Sequence, residues 1–182
     1  MSKKVSVFTS VWSAVICAVI YGLYGLLPSG GNVSFTMGWA MFIMLICFFG
    51  MRLKPKNSLS MVLSSLMGCI WGQVYIILIF LLVPFVGITA AGILSVGIGT
   101  ALVLIVQGGA LSKTPLGLIP FNFAGIALTF SQFQGHMGDN AIALVVTILL
   151  GIGMAVLCGL GYNVAEKIFI IKENAIDTID HA

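Results

Sequence analysis

Apolar residues along this chain come in runs of about twenty, the length a helix needs to cross the hydrocarbon of a bilayer, and the gaps between the runs are rich in helix breakers. Six runs predict six spanning helices, at residues 5–27, 35–51, 59–83, 87–106, 115–133 and 141–163. The first ends at Pro28, Ser29, Gly30, Gly31 and Asn32, where a missing N–H donor and flexible, turn-forming residues stop a helix. Arg52, Lys54, Pro55 and Lys56 precede the third helix, Pro84 and Gly87 divide the third from the fourth, and residues 134–140 turn between the fifth and the sixth. Residues 1–164 therefore read as one transmembrane domain of an all-α membrane protein. Residues 165–182 read as a cytoplasmic tail that places Ile168, Ile171, Ala175, Ile176 and Ile179 on one helical face. Lys3 and Lys4 ahead of an apolar run look like the start of a signal peptide, but no small-x-small cleavage site follows. The run is long enough to span, so it reads as a retained first helix.

Composition removes the alternative of a water-soluble domain. Apolar residues are 60% of the 182 and charged residues 7%, and the mean hydropathy is +1.18. So few charges cannot coat a soluble surface, whereas lipid penalises such a coat. The cations also report orientation. Lys3 and Lys4, then Arg52, Lys54 and Lys56, then Lys113, then Lys167 and Lys172 all fall on one side of the six-span arrangement, and the opposite gaps carry only Asp139. Short cationic loops stay in the cytoplasm, so both termini are expected inside. Cations grouped at the ends of apolar runs, rather than along one face, exclude a nucleic-acid partner. Cys17, Cys47, Cys69 and Cys158 each lie inside an apolar run without ligand spacing and read as small core residues. No metal and no cofactor is expected.

Three spans followed by three spans place the halves, residues 1–84 and 85–164, in opposite orientations, and the halves echo each other. Ala14, Ala18 and Gly22 of the first helix recur as Ala91, Ser95 and Gly99 of the fourth, 77 positions later (91 − 14). Ser64, Gly68 and Gly72 recur as Thr147, Gly151 and Ala155, 83 positions later (147 − 64), and Phe42 and Phe49 recur as Phe123 and Phe130, 81 positions later (123 − 42). Small residues at intervals of four let helices approach closely in lipid, which accounts for the pattern as packing or, with the order preserved, as a 3+3 inverted repeat. The second helix is short and the fifth is interrupted early by Pro120. Broken segments at matching positions in two halves point to a transport site, because freed backbone groups survive only where protein or a cavity satisfies them.

No Asp, Glu, Lys or Arg lies well inside a predicted span. That argues against a proton relay, an ion pump or a carrier of charged substrate, and leaves neutral solutes. No nucleophile set, phosphate loop or zinc motif can be assembled, so no catalytic residue and no enzyme is expected. On the fifth helix Asn122, Gly125, Thr129, Gln132 and His136 fall at steps of three and four, backed by Phe123 and Phe130. With Trp39, Phe42 and Phe49 of the second helix they are the candidate lining of a passage. The same amides and hydroxyl read equally as interhelical glue. Ser65, Cys69 and Gln73, with Trp71, form a secondary stripe that reads more simply as packing. His136 and Asp139 share the outer loop, where they form either a pH-sensitive gate or an ordinary solvated turn. Trp39 and Tyr24, near span ends, read as headgroup anchors.

Gly38, Trp39, Ala40, Phe42, Phe48 and Phe49 in the second helix, and Pro120, Phe123, Gly125, Thr129 and Phe130 in the fifth, resemble the YcdZ-like family of small, uncharacterised bacterial inner-membrane proteins. The similarity covers the second to the fifth helices. Where that family opens the fifth helix with Pro-Gly, this chain has Pro120-Phe121. The resemblance implies a bacterial cytoplasmic-membrane location and no settled activity. The functional expectation is a channel or facilitator for a small neutral polar solute of the urea, ammonia or amide type. A homo-oligomer is expected, because six helices are few for a monomeric pore. The alternatives are a non-transporting scaffold or accessory subunit, and a secondary carrier.

Overall fold

The computed structural model describes the backbone of residues 3–30 and 33–180 and the side chains of residues 4–30 and 33–169. Five helices follow in chain order: α1 (Lys3–Gly25), α2 (Ala40–Gly50), α3 (Ser58–Val103), α4 (Ile119–Gln132) and α5 (Ala141–Asp180). A 3-10 turn at Pro55–Asn57 leads into α3, and a π-helical turn at Leu104–Ala110 follows it. Among the described residues there is no strand, only a lone bridge between Gly30 and Val33. Three stretches, Lys4–Gly25, Pro55–Ala110 and Ala141–Phe169, are long and apolar enough to cross a membrane, and Ala40–Gly50 is a shorter apolar helix. The protein is all-helical with the apolar helices of a membrane protein.

The third and fourth predicted helices run on as α3 with no loop between them. They are nevertheless separate arms, because Gly87 breaks the element with φ 77° and ψ 167°, a conformation that glycine reaches without a Cβ clash. Beyond Gly87 the chain doubles back. Ser95 Oγ donates to the Tyr75 carbonyl at 2.7 Å, the Tyr75 hydroxyl donates to Thr100 Oγ1 at 3.2 Å, and the Tyr75 ring lies against Gly99. Ala91, Ser95, Gly99 and Val103 are the buried face of the second arm. The corresponding small residues of α1 behave differently: Ala14, Ala18 and Gly22 are exposed. The side of α1 that packs on α5 carries Trp12, Ile16, Cys17, Ile20 and Tyr24 instead. Spacing alone does not say which face a neighbour covers.

The remaining boundaries shift for local reasons. Pro120 interrupts nothing, since α4 begins at Ile119 and the proline sits in its first turn, where the missing N–H would be unpaired in any case. The predicted second helix shortens to α2 because residues 34–37 are irregular and 38–39 form a turn. The predicted sixth helix and the tail form one helix, α5. The apolar face of the tail beyond Ile168 lies outside the residues whose side chains are described.

Two helix contacts set the arrangement. A Cβ built at Gly68 of α3 would overlap the carbonyl of Asn122 in α4, and one built at Gly125 of α4 would overlap the carbonyl of Ser65 in α3, so these backbones touch directly. Gly151 of α5 lies against Met41 of α2 in the same manner, with a Cβ meeting the Met41 Cα at 2.9 Å. The main core fills the space among α2, α4 and α5 with Met37, Met44, Phe48, Phe121, Leu128 and Ile148. Outside this core, Val11, Val15, Val19, Phe85, Ile88 and Ile93 are more than half exposed, apolar surface that water would disfavour and lipid would cover.

Gly68→Ala is expected to push α3 and α4 apart and to lower stability by about 2 kcal/mol or more. Gly97→Ala, which meets nothing within 4 Å, is expected to be neutral or to stabilise by up to about 1 kcal/mol. Thermal unfolding of the detergent-solubilised variants measures both.

Candidate functional site

The polar stripe of α4 lies in the α3–α4 contact. Asn122, Thr129 and Gln132 are buried, at 0%, 2% and 8% exposure. Asn122 Nδ2 donates to the carbonyls of Leu116 (3.0 Å) and Leu118 (3.2 Å), just ahead of the helix, while Asn122 Oδ1 has no partner among the described residues. A buried acceptor left unpaired costs about 1–3 kcal/mol. Thr129 Oγ1 donates to the Gly125 carbonyl at 2.9 Å, and its side chain fills the notch left by Gly72. The secondary stripe supplies the opposite wall: Ser65 donates to the Met44 sulfur at 3.6 Å, Cys69 lies beside Thr129, and Gln73 Oε1 accepts from the Gly138 N–H at 3.3 Å. The two stripes therefore meet each other across a close seam and do not face an open passage.

The aromatic candidates do not join them. Phe123, Phe130 and Trp71 pack with Tyr75, Val103 and Ile126 in a separate cluster. Trp39, Phe42 and Phe49 point outward from α2, at 51%, 38% and 51% exposure. Between α2 and α4, where the sequence suggested a passage, the apolar core is closed.

At one end of the seam the loops ahead of α2 and α5 form a polar mouth of about 790 Å³, lined by Val33, Ser34, Gln134, His136, Asp139 and Asn140 among others. Asn140, at φ 51°, joins the loops: its amide accepts from the Ser34 N–H (2.9 Å), donates to the Ser34 carbonyl (2.8 Å) and also donates to Gln132 Oε1. The candidate gate residues sit at the rim. Asp139 Oδ2 accepts the N–H groups of His136 and Gln134, each at 2.8 Å. These two bonds, His136 first, hold the carboxyl below its ordinary pKa, with a smaller electrostatic contribution from the His136 side chain.

Sequence reasoning missed the groups that end the two short helices. The Tyr24 hydroxyl is shared with Thr147 Oγ1 at 2.9 Å and accepts the Met37 N–H at 3.2 Å, so this buried tyrosine is an internal tie and not a headgroup anchor. At the other short helix, Ser64 Oγ donates to the Pro115 carbonyl and accepts the Leu118 N–H, both at 3.1 Å. Gln107, oriented so that both ends of its amide are satisfied, donates to the Leu116 carbonyl at 2.7 Å and accepts from Trp71 Nε1 at 3.2 Å. Ser64 and Thr147 had been visible only as a small-residue echo between the halves.

A family model described as a protein of unknown function, DUF1097, matches residues 6–162. The chain belongs to that family. The match covers all of the seam and both walls of the polar mouth, so these features lie within the DUF1097 region itself. No curated protein and no solved structure matches the chain.

The lowered Asp139 pKa means that the carboxylate's hold on the loop is complete above its ordinary value of about 3.9 and is lost as pH falls through the lower folded value. Hydrogen exchange at the Gln134 and His136 amides is expected to be slow near neutrality and to lose protection only below the ordinary carboxylate range. Asp139→Asn is expected to weaken that protection at every pH.

Proposed function

We propose that this protein crosses a bacterial cytoplasmic membrane six times, with both termini inside, as a YcdZ-like 3+3 inverted repeat. We further propose that it is a facilitator for a small neutral polar solute, held here with its α3–α4 seam closed. The observation that carries the reading is Asn122. It is a fully buried amide at the start of a short helix, its Nδ2 spent on the preceding carbonyls and its Oδ1 without a donor. An acceptor of that kind suits a solute rich in N–H groups, such as urea, ammonia or a simple amide, once the seam opens toward the polar mouth.

Matching contacts support the repeat. Gly68 against Asn122 and Gly151 against Met41 pair positions 83 apart (151 − 68) with positions 81 apart (122 − 41). The hydroxyls at Ser64 and at Tyr24 with Thr147 meet the N–H groups of Leu118 and Met37, again 81 apart (118 − 37). The break at Gly87 supports counting α3 as two spans, and the distribution of Lys and Arg supports the orientation. Assembly as a homo-oligomer would use the outward face of α1. The reading includes no enzymatic step and no nucleic-acid partner.

Flux in proteoliposomes tests the function. Urea or short-amide permeation above that of empty vesicles is expected, with Asn122→Leu losing most of it while melting normally. Absence of solute-specific flux in the wild type would sink the proposal. Single cysteines introduced into a cysteine-free background test orientation: Ser112→Cys is expected to react with an impermeant maleimide only from the cytoplasmic side, and Ser34→Cys only from the outer side. The non-transporting scaffold is the second reading, favoured by the polar stripes being spent on packing. Under it, Asn122→Leu destabilises the protein by removing two structural hydrogen bonds, and there is no flux to lose. The secondary carrier would need a coupling-ion site, which none of the residues described supplies.

A further inference from the structure

Away from the seam, several sulfur atoms gather where α1 packs on α5. Met154 and Cys158 stand four residues apart on one face of α5 and are buried at 0% and 3% exposure. Cys17 of α1 and Met41 of α2 belong to the same packed cluster. The antiparallel register of the two helices agrees: the Tyr24 hydroxyl meets Thr147, Cys158 Sγ faces the Ser13 carbonyl at 3.9 Å, and Trp12 Nε1 donates to the Leu157 carbonyl at 2.8 Å. That order brings Cys17 level with the turn between Met154 and Cys158. On its outer side Cys17 lines an apolar groove of about 350 Å³ with Ala18, Tyr21, Trp39 and Phe42, which gives the cluster a way in between α1 and α2.

We propose that Cys17, Cys158 and Met154 form a binding site for a soft monovalent cation of the Cu⁺ or Ag⁺ class, with Met41 as a further available thioether. Thiolate and thioether sulfur select such ions over hard cations, which need oxygen ligands. Charge favours one ion and one thiolate. A single thiol releases its proton to solvent as the metal–sulfur bond forms, so the positive ion and negative sulfur cancel, while the thioether and the second thiol bind as neutral donors. Loss of a second proton would leave a net charge among apolar helices, which is expensive there. No electron is transferred and no oxidant is needed. The site stands independently of solute transport. In its absence, the same sulfurs serve only as adaptable packing.

Silver titration of the full-length detergent-solubilised protein, in a Cys47→Ser/Cys69→Ser background, is the test. One Ag⁺ per chain is expected, with one proton released per ion and an all-sulfur shell by X-ray absorption. Cys17→Ser or Cys158→Ser should each weaken binding about hundredfold, whereas Cys17→Met, which keeps a soft donor, should weaken it less than tenfold. Two ions per chain, each serine substitution removing only its own equivalent, would identify two ordinary reactive thiols and overturn the site, as would no binding at all. Should a serine variant fail to fold, Met154→Leu, which keeps the volume of the side chain, decides the matter: reduced affinity supports the site, and unchanged affinity overturns it.

Discussion

Direct backbone contact between α3 and α4 is the interaction on which the rest of the structure depends. In lipid no water exclusion pulls helices together, so association relies on close packing and on hydrogen bonds between helices. A side-chain hydrogen bond in that setting contributes about 0.6 kcal/mol, less than the roughly 1–3 kcal/mol lost when an extra methyl group is forced into a filled interface. Gly68 and Gly125, each against the other helix's carbonyl, therefore outweigh any one of the polar ties around them. Once these glycines meet, Asn122, Thr129 and Gln132 must lie along the seam, because the helical period that aligns them with Gly125 leaves them no other direction.

The polar ties still decide where the chain can be irregular. The segments ahead of α2 and α4 lack helical hydrogen bonds, and in a membrane such backbone persists only where protein satisfies it. Tyr24 with Thr147 meets one of these needs at Met37; Ser64 meets the other at Leu118. Asn140 does the same for Ser34 and, by bonding Gln132, connects the mouth to the adjoining end of the seam. The short helices are thus not truncated by chance. Each begins where a hydroxyl from a longer helix replaces the missing turn.

Apolar runs and breakers made the helical segments legible, and Pro84 with Gly87 marked a division that the backbone honours at Gly87. The seam was half legible. Gly68, Gly72 and the Asn122-to-Gln132 stripe were visible as small and polar faces, but a face carries no label for its neighbour. Ala14, Ala18 and Gly22 make the same point in reverse: their spacing matches Ala91, Ser95 and Gly99, yet they are exposed while the latter are buried. Pro120 misled because a proline inside an apolar run looks like an interruption until the start of the helix is known. Tyr24 misled because nearness to a span end says nothing about which way the ring turns. Hydrogen bonds such as those of Ser34 with Asn140, remote in sequence, leave no local signal at all.

The unequal surroundings of the two small-residue faces bear on how a closed seam opens. Under the repeat reading, α1 and the second arm of α3 are counterparts, yet the second arm is fastened to the first through Ser95, Thr100 and Gly99 around Tyr75. α1 is tied to α5 through Trp12 in its middle and Tyr24 near its end, and turns Gly22 toward open space. Counterparts held in different packings are what two alternating arrangements of one fold require, since a packed interface switches between discrete states and does not deform continuously. Under the proposed function the interface that must switch is then the α3–α4 seam itself, because the Gly68 contact lies directly on Asn122.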